Sequence, residues 1–386
     1  MADRPEDPRT GDHQELMSLL GAWALSACAP EDTERVEAHL NDCGRCAEEA
    51  LRLRDAALLL QPQGSLDLDP KLRARVLDGC LARRPATQPV PAWAAPLDSE
   101  AARLDALLND ITEDEWRTPV ELRWFDDHEG WLGRTTTVSG VLDHLLAVDG
   151  LLARAVGLPD VLPDAGDDPV ARTEARWAGA RREADAWRSW REQTQALVRA
   201  AAGTGGRTGE RTVPRAAFGD PARLPGTGPE LPLSDAYLDR AFACWVHADD
   251  IARAVEYPYD PPLGPQLRQL VDLAARRLPQ SIARRRRAGL AVSQPRLTTA
   301  GTPGRTLHLE VEGPGGGHFY IPLDSPVATV SRTAAREAVA RLALDDVVFC
   351  QLVAGRITPD EAASGGEGDL LVIRDVLCAA AALSRL

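Results

Sequence analysis

Between residues 12 and 25 the apolar positions Leu16, Leu19, Leu20, Trp23 and Ala24 recur every three or four residues, the spacing of one helix face. Residues 1–11 are polar, contain two prolines and read as a disordered lead. A second helix is expected over residues 30–40, because Pro30 suits the first turn and Glu31 and Asp32 lie at the positive end of the helix dipole. Residues 45–60 and 69–84 give two more, the last carrying Leu72, Val76, Leu77 and Leu81 on one face. Residues 85–96 then hold four prolines and no charge, which predicts an extended spacer and a domain boundary.

Beyond the spacer, helical periodicity returns at residues 99–111, 137–156, 170–202, 234–256 and 264–287, so that four helices form a bundle with the fifth packed outside. Residues 203–232 are rich in Gly, Pro and Arg and read as a mobile insertion. After residue 290 the pattern changes. Residues 307–311 and 318–323 alternate apolar and polar positions around Pro314 and Gly315 to Gly317, the signature of a hairpin, before helical spacing resumes at 333–354 and 369–386. The expected class is mainly α, in four parts. Residues 1–84 form a small helical domain, 85–96 a Pro-rich linker, 97–290 a helical bundle and 291–386 an α+β domain.

The net charge of −14 argues against nucleic acid or an anionic membrane as partner, because both need a basic surface. The basic cluster Arg284 to Arg287 ends a predicted helix, where positive charge complements the dipole. No stretch approaches the roughly 18 consecutive apolar residues of a membrane span, and the first residues lack a signal-peptide pattern, so a cytoplasmic protein is expected. Seven scattered cysteines are an odd number and fit a reducing compartment better than a disulfide scaffold.

One group of these cysteines carries chemistry. Zn²⁺ takes four N or S donors in a tetrahedron, and His39-x3-Cys43-x2-Cys46 places an imidazole and two thiolates at one helix end and its following turn. His13, one helix earlier, is the expected fourth ligand, with Cys28 as its competitor. A domain this small builds little core, so a structural metal has a physical use there.

With Leu19 to Leu25 and Pro30 to His39 leading into it, this motif resembles the zinc-binding anti-sigma factor family over residues 12–84. The resemblance implies three helices around the zinc and a fourth, at residues 69–84, that joins them in holding an extracytoplasmic-function sigma factor away from core polymerase. The apolar faces at Trp23 and at Leu72, Val76, Leu77 and Leu81 are the expected contact surface, since so small a domain cannot bury them all.

Two further histidines, His144 and His247, lie on predicted bundle helices, with Asp250 one turn beyond the second. Histidines on facing helices can hold a divalent metal inside a bundle. Together with Leu352 to Arg356, these helices resemble the DinB-type bundle of mycothiol-dependent maleylpyruvate isomerase, followed over 291–386 by a sterol-carrier-like unit. The resemblance implies a metal triad of one His and a later Glu-x-x-x-His pair. Here the position four before His247 is Ala243. No catalytic residue is therefore assigned. His144, His247 and Asp250 remain a candidate second metal or ligand site, and the module is expected to bind a small molecule or thiol. The rival expectation is a mycothiol-dependent isomerase or thiol transferase to which the zinc domain adds regulation.

Overall fold

In a computed structural model the chain separates into two compact units, Met1–Thr87 and Gln88–Leu386. The residues described are 8–60, 76, 89–126, 129–179, 183–204, 210–214, 230–291, 304–325, 328–334 and 338–384. The architecture is mainly α.

The first unit contains α1 (Pro8–Ala24), α2 (Pro30–Asp42) and α3 (Gly44–Leu60). α1 starts within the lead expected to be disordered. α2 has Pro30 in its first turn with Glu31 and Asp32, and it ends where the Cys43 N–H donates to the His39 carbonyl at 2.9 Å. The core between the helices is small: Leu16, Leu20, Val36, Cys46 and Ala50 are buried, with Leu19, Trp23, Leu40 and Leu53 against them. The expected fourth helix and the start of the spacer lie largely outside the described residues; Val76 is helical and exposed.

The second unit begins with a segment that the proline count assigned to a spacer. Instead, the Pro91 carbonyl accepts from the Ala94 and Ala95 N–H groups, Ala94 is fully buried, and Trp93 packs edge-to-face on Tyr237 at 5.0 Å. α4 (Ala95–Asp110) thus starts before the expected position. A hairpin follows, β1 (Pro119–Asp126) and β2 (Gly130–Thr137), which periodicity had not singled out; Val120 and Leu122 face inward between exposed Glu121 and Arg123.

α5 (Val138–Ala155) is buried along nearly its whole length. The single helix expected over 170–202 is two, α6 (Pro169–Trp177) and α7 (Glu183–Gly203). Separating them lets α6 lie against α5, where two buried arginines fix it: Arg172 Nε donates to the Ala147 carbonyl at 2.8 Å and Arg176 Nε to Asp143 at 2.5 Å. Within the expected insertion, β3 (Thr212–Pro214) pairs with β4 (Glu230–Pro232). α8 (Leu233–Ala254) packs on α4 and α5, and α9 (Gly264–Arg287) packs on α8 and on the sheet.

That sheet has the order β6-β5-β7-β8, formed by β5 (Thr306–Glu312), β6 (Gly317–Pro322), β7 (Ala340–Asp345) and β8 (Gly366–Gly368). The first pair is the expected hairpin. β7 corrects the helix expected over 333–354: Ala340, Leu342 and Leu344 are buried at a period of two, and the strand pairs in parallel with β5. Helix resumes only at α10 (Asp346–Val353), whose first N–H groups are accepted by the Asp345 carboxylate. α11 (Pro359–Ala362) and α12 (Leu370–Ala381) complete the unit. The inner sheet face, α9, α10 and α12 share one apolar core with α8, so the expected boundary near residue 290 falls inside a single compact unit. Among the described residues no helix is long and apolar enough to cross a membrane.

Candidate functional site

The N-terminal constellation is built by three helices. α1 supplies His13, the end of α2 supplies His39 and Cys43, and the first turn of α3 supplies Cys46. His13 Nδ1 lies 3.1 Å from His39 Nε2 and 3.9 Å from the Sγ atoms of both Cys43 and Cys46. All four donor atoms fall within 4.8 Å of one another. Tetrahedral zinc, with bonds of about 2.0–2.1 Å to nitrogen and 2.3 Å to sulfur, requires donor separations of about 3.3–3.8 Å. The set fits Zn²⁺ in donor type, number and spacing. Cys28 stands outside it, with its thiol directed to the Leu19 carbonyl at 3.7 Å.

The two thiols differ. Backbone donation from Cys46, then the Cys46 side chain and the Arg45 backbone and charge, lower the Cys43 pKa, whereas burial raises that of Cys46. Zn²⁺ bound here would hold both as thiolates. The metal would also tie three helices together where the apolar core is smallest.

Of the residues expected to contact a partner, Trp23 is half-buried against this core, with the Arg54 guanidinium 5.8 Å from its ring. Leu72, Leu77 and Leu81 lie outside the described residues. Apolar residues that sequence periodicity did not select are exposed instead: Met17 and Leu25 at α1, and Leu51, Leu58 and Leu59 on α3. Leu59 is 85% exposed, and the spacing of 51, 58 and 59 puts these three leucines on one helix face.

In the second unit α5 and α8 bring His144 and His247 together, with ring centroids 4.9 Å apart, edge to face. Both are buried. The Thr173 hydroxyl, from α6, donates to the Pro169 carbonyl at 2.8 Å, so its oxygen accepts from His144 Nδ1 at 2.9 Å. His247 Nδ1 donates to Asp250 Oδ2 at 3.1 Å. Each ring therefore carries its proton on Nδ1 and keeps an Nε2 lone pair for another partner.

Asp250 faces Arg356 as well as His247. Arg356 Nε donates to its Oδ1 at 2.8 Å and Arg356 Nη2 to its Oδ2, so both oxygens are committed. Burial would raise this carboxyl, but Arg356 and His247 outweigh burial and hold it below the usual range. Among the described residues, His144, His247 and Asp250 do not come together as a metal-binding group.

Arg356 reaches this position through a backbone device. Gly355 closes α10 with φ +70°, a conformation costly for other residues, and a side chain there would meet Ser384 at 2.9 Å and the Trp124 backbone at 3.0 Å.

A cavity opens beside the histidines, walled by His144, Val148, Arg240, Ala243, His247 and Arg356. Arg240 donates to Asp239 at 2.5 Å and lies 3.7 Å from the buried Asp149. Burial pushes Asp149 up to about 7, with Arg240 opposing and Asp239 adding to the shift. Burial also lowers both histidines, His144 the more, helped there by the neighbouring His247, Arg240 and Arg356. The site thus offers two neutral imidazoles and fixed cations, with an apolar side chain at Ala243. Sequence reasoning missed Thr173, Asp149 and Arg240. The spacing of Arg240, Ala243 and His247 on one face of α8 was the available signal.

Residues 14–47 match a family model described as “Putative zinc-finger”. The match takes in His39, Cys43 and Cys46 and begins one residue after His13. Comparison with curated proteins gives no match. Among solved structures, a mutant of the mycothiol-dependent maleylpyruvate isomerase is similar over 72% of this chain and 91% of that chain, at 16% identity and a TM-score of 0.37. A likeness of that size assigns no residue a role.

Proposed function

We propose that the protein is a zinc-dependent anti-sigma factor: its first unit sequesters an extracytoplasmic-function sigma factor, and its second unit binds a small molecule or thiol that sets the strength of that grip. The observation carrying the reading is the four-donor group at His13, His39, Cys43 and Cys46, set in a zinc-finger match and in helices with more apolar surface than their small core can bury. Zinc fixes the angles between α1, α2 and α3, and so holds the apolar α3 face of Leu51, Leu58 and Leu59 ready for a helical partner. Trp23, Leu72, Val76, Leu77 and Leu81, selected by the sequence, are the further residues assigned to sigma-factor binding. The resemblance of residues 12–84 to zinc-binding anti-sigma factors names the partner class.

The test is to pass the full chain over each such sigma factor from the native genome and to measure sigma-dependent transcription with and without it. A one-to-one complex that blocks transcription supports the proposal, and transcription unaffected with every sigma factor rejects it.

A second reading, a mycothiol-dependent isomerase or thiol transferase, draws on the two histidine Nε2 lone pairs beside the cavity. A catalytic divalent metal needs about three protein ligands and an open position. Ala243 supplies none and Asp250 is held by Arg356, which favours ligand binding over turnover.

A further inference from the structure

The outer face of the mixed sheet carries a group of side chains that neither unit's proposed activity uses. On β5 His308 and Glu310 point outward, and on β6 His318 and Tyr320 share that face, because alternate residues of paired strands project to one side. Glu310 stands directly opposite His318, and His308 opposite Tyr320. The diagonal brings His308 Nε2 to 3.1 Å from His318 Nδ1.

From this geometry we infer a second metal site in the protein, in which His308, Glu310 and His318 hold one Zn²⁺ or a similar borderline divalent cation. The three donor atoms all lie within 4.8 Å of one another. The nitrogen separation is close to the roughly 3.3 Å edge of a tetrahedral zinc site. Two imidazoles and a carboxylate suit Zn²⁺ better than Mg²⁺ or Ca²⁺, which favour oxygen donors. With three protein ligands, the fourth position is open to water or a small anion.

Neighbouring groups already hold two of the three ligands in place. Tyr320 stacks on the His308 ring at 4.7 Å with an interplanar angle of 5°. Arg341, on β7, donates through both Nε and Nη2 to the same oxygen of Glu310, Oε2. Oε1 is left for the metal, with Arg341 in the orienting role that partners of metal-bound carboxylates commonly fill. His318 is exposed, so an ion can reach the site from solvent without rearrangement of the sheet.

A hydrogen bond between two neutral imidazoles is the competing explanation, and zinc binding separates the two. The full chain, stripped with a chelator and dialysed against low-micromolar free Zn²⁺, should hold one more ion per chain than its His318→Ala variant. It should also hold one more than Glu310→Gln at limiting Zn²⁺. A Cys43→Ser, Cys46→Ser variant should lose a different ion and keep this one. In the unmodified chain, Zn²⁺ added after the N-terminal site has filled should shift the ring resonances of His308 and His318 together. Equal zinc content in the unmodified and His318→Ala chains, with both rings unmoved by Zn²⁺, would overturn the assignment.

Discussion

His13 Nδ1 sits 3.1 Å from His39 Nε2 although the two residues are 26 positions apart, on different helices. Two imidazole nitrogens converge there beside two thiols, with all four donors within 4.8 Å of one another. Structural zinc in such a site contributes roughly 10–16 kcal/mol of apparent binding energy, which here acts as folding energy.

Chelation is therefore expected to unfold the Met1–Thr87 unit while leaving the Gln88–Leu386 unit intact. Circular dichroism on the two units, followed during chelator titration, checks this. Equal resistance of both units would count against a folding role for the metal.

Replacing Leu51 and Leu58 together by Asp is predicted to weaken sigma-factor binding at least tenfold, about 1.4 kcal/mol, with zinc content unchanged. Both side chains are exposed on α3, so the folded state loses little. Titration calorimetry gives the affinity and elemental analysis the zinc.

Arg356→Ala is predicted to cost the second unit about 3–5 kcal/mol, because it strands the buried Asp250 carboxylate without its main cation. Arg356→Ala with Asp250→Asn should recover part of that loss, since the stranded charge is then gone. Denaturant unfolding at pH 7 measures both.

The two buried histidines and Asp250 each lose stabilisation in acid, over separate pH ranges. His144 and His247 have native pKa values below the ordinary 6.5, so the unfolded chain takes up protons first and stability falls as pH drops below 6.5. Asp250 has a native pKa below the ordinary 3.8, so its stabilisation is present above that value and is lost as pH falls further. Asp149 runs the other way. Its pKa of about 7 makes its burial unfavourable above neutrality, and protonation relieves this as pH falls. His144→Asn should flatten the histidine range in a pH series of unfolding midpoints.

Ala243→Glu is predicted to give the full chain one more divalent ion than the unmodified chain, since it adds a carboxylate one turn before His247. Metal analysis of the two proteins, each also carrying His318→Ala to remove the sheet site, decides the point. Equal metal content in the two, with mycothiol-dependent turnover by the unmodified chain, would favour the enzyme.

Three ligands of the zinc site were legible in the sequence because they are local: His39, Cys43 and Cys46 span one helix end and turn, whereas His13 is brought alongside by packing of Leu16 and Leu20 on Val36 and Ala50. The histidine pair of the second unit was legible only in part. His144 and His247 lie on strongly periodic helices, but Arg356 meets Asp250 across 106 residues, and Thr173 reaches His144 only because α6 and α7 are separate. Strand β7 was read as helix because Ala340 to Asp345 suit either period until β5 provides a partner. The pairing of His308 with His318 depends on hairpin register, which the apolar alternation of residues 307–311 and 318–323 does not specify by itself.

Sigma-dependent transcription reconstituted with purified core polymerase, each extracytoplasmic-function sigma factor of the native genome and the full chain tests the central claim most directly. The account predicts that the chain stoichiometrically blocks transcription by at least one of them, and that Cys43→Ser with Cys46→Ser abolishes the block. Undiminished inhibition by that zinc-free variant, or no inhibition of any sigma factor by the zinc-loaded chain, would contradict it.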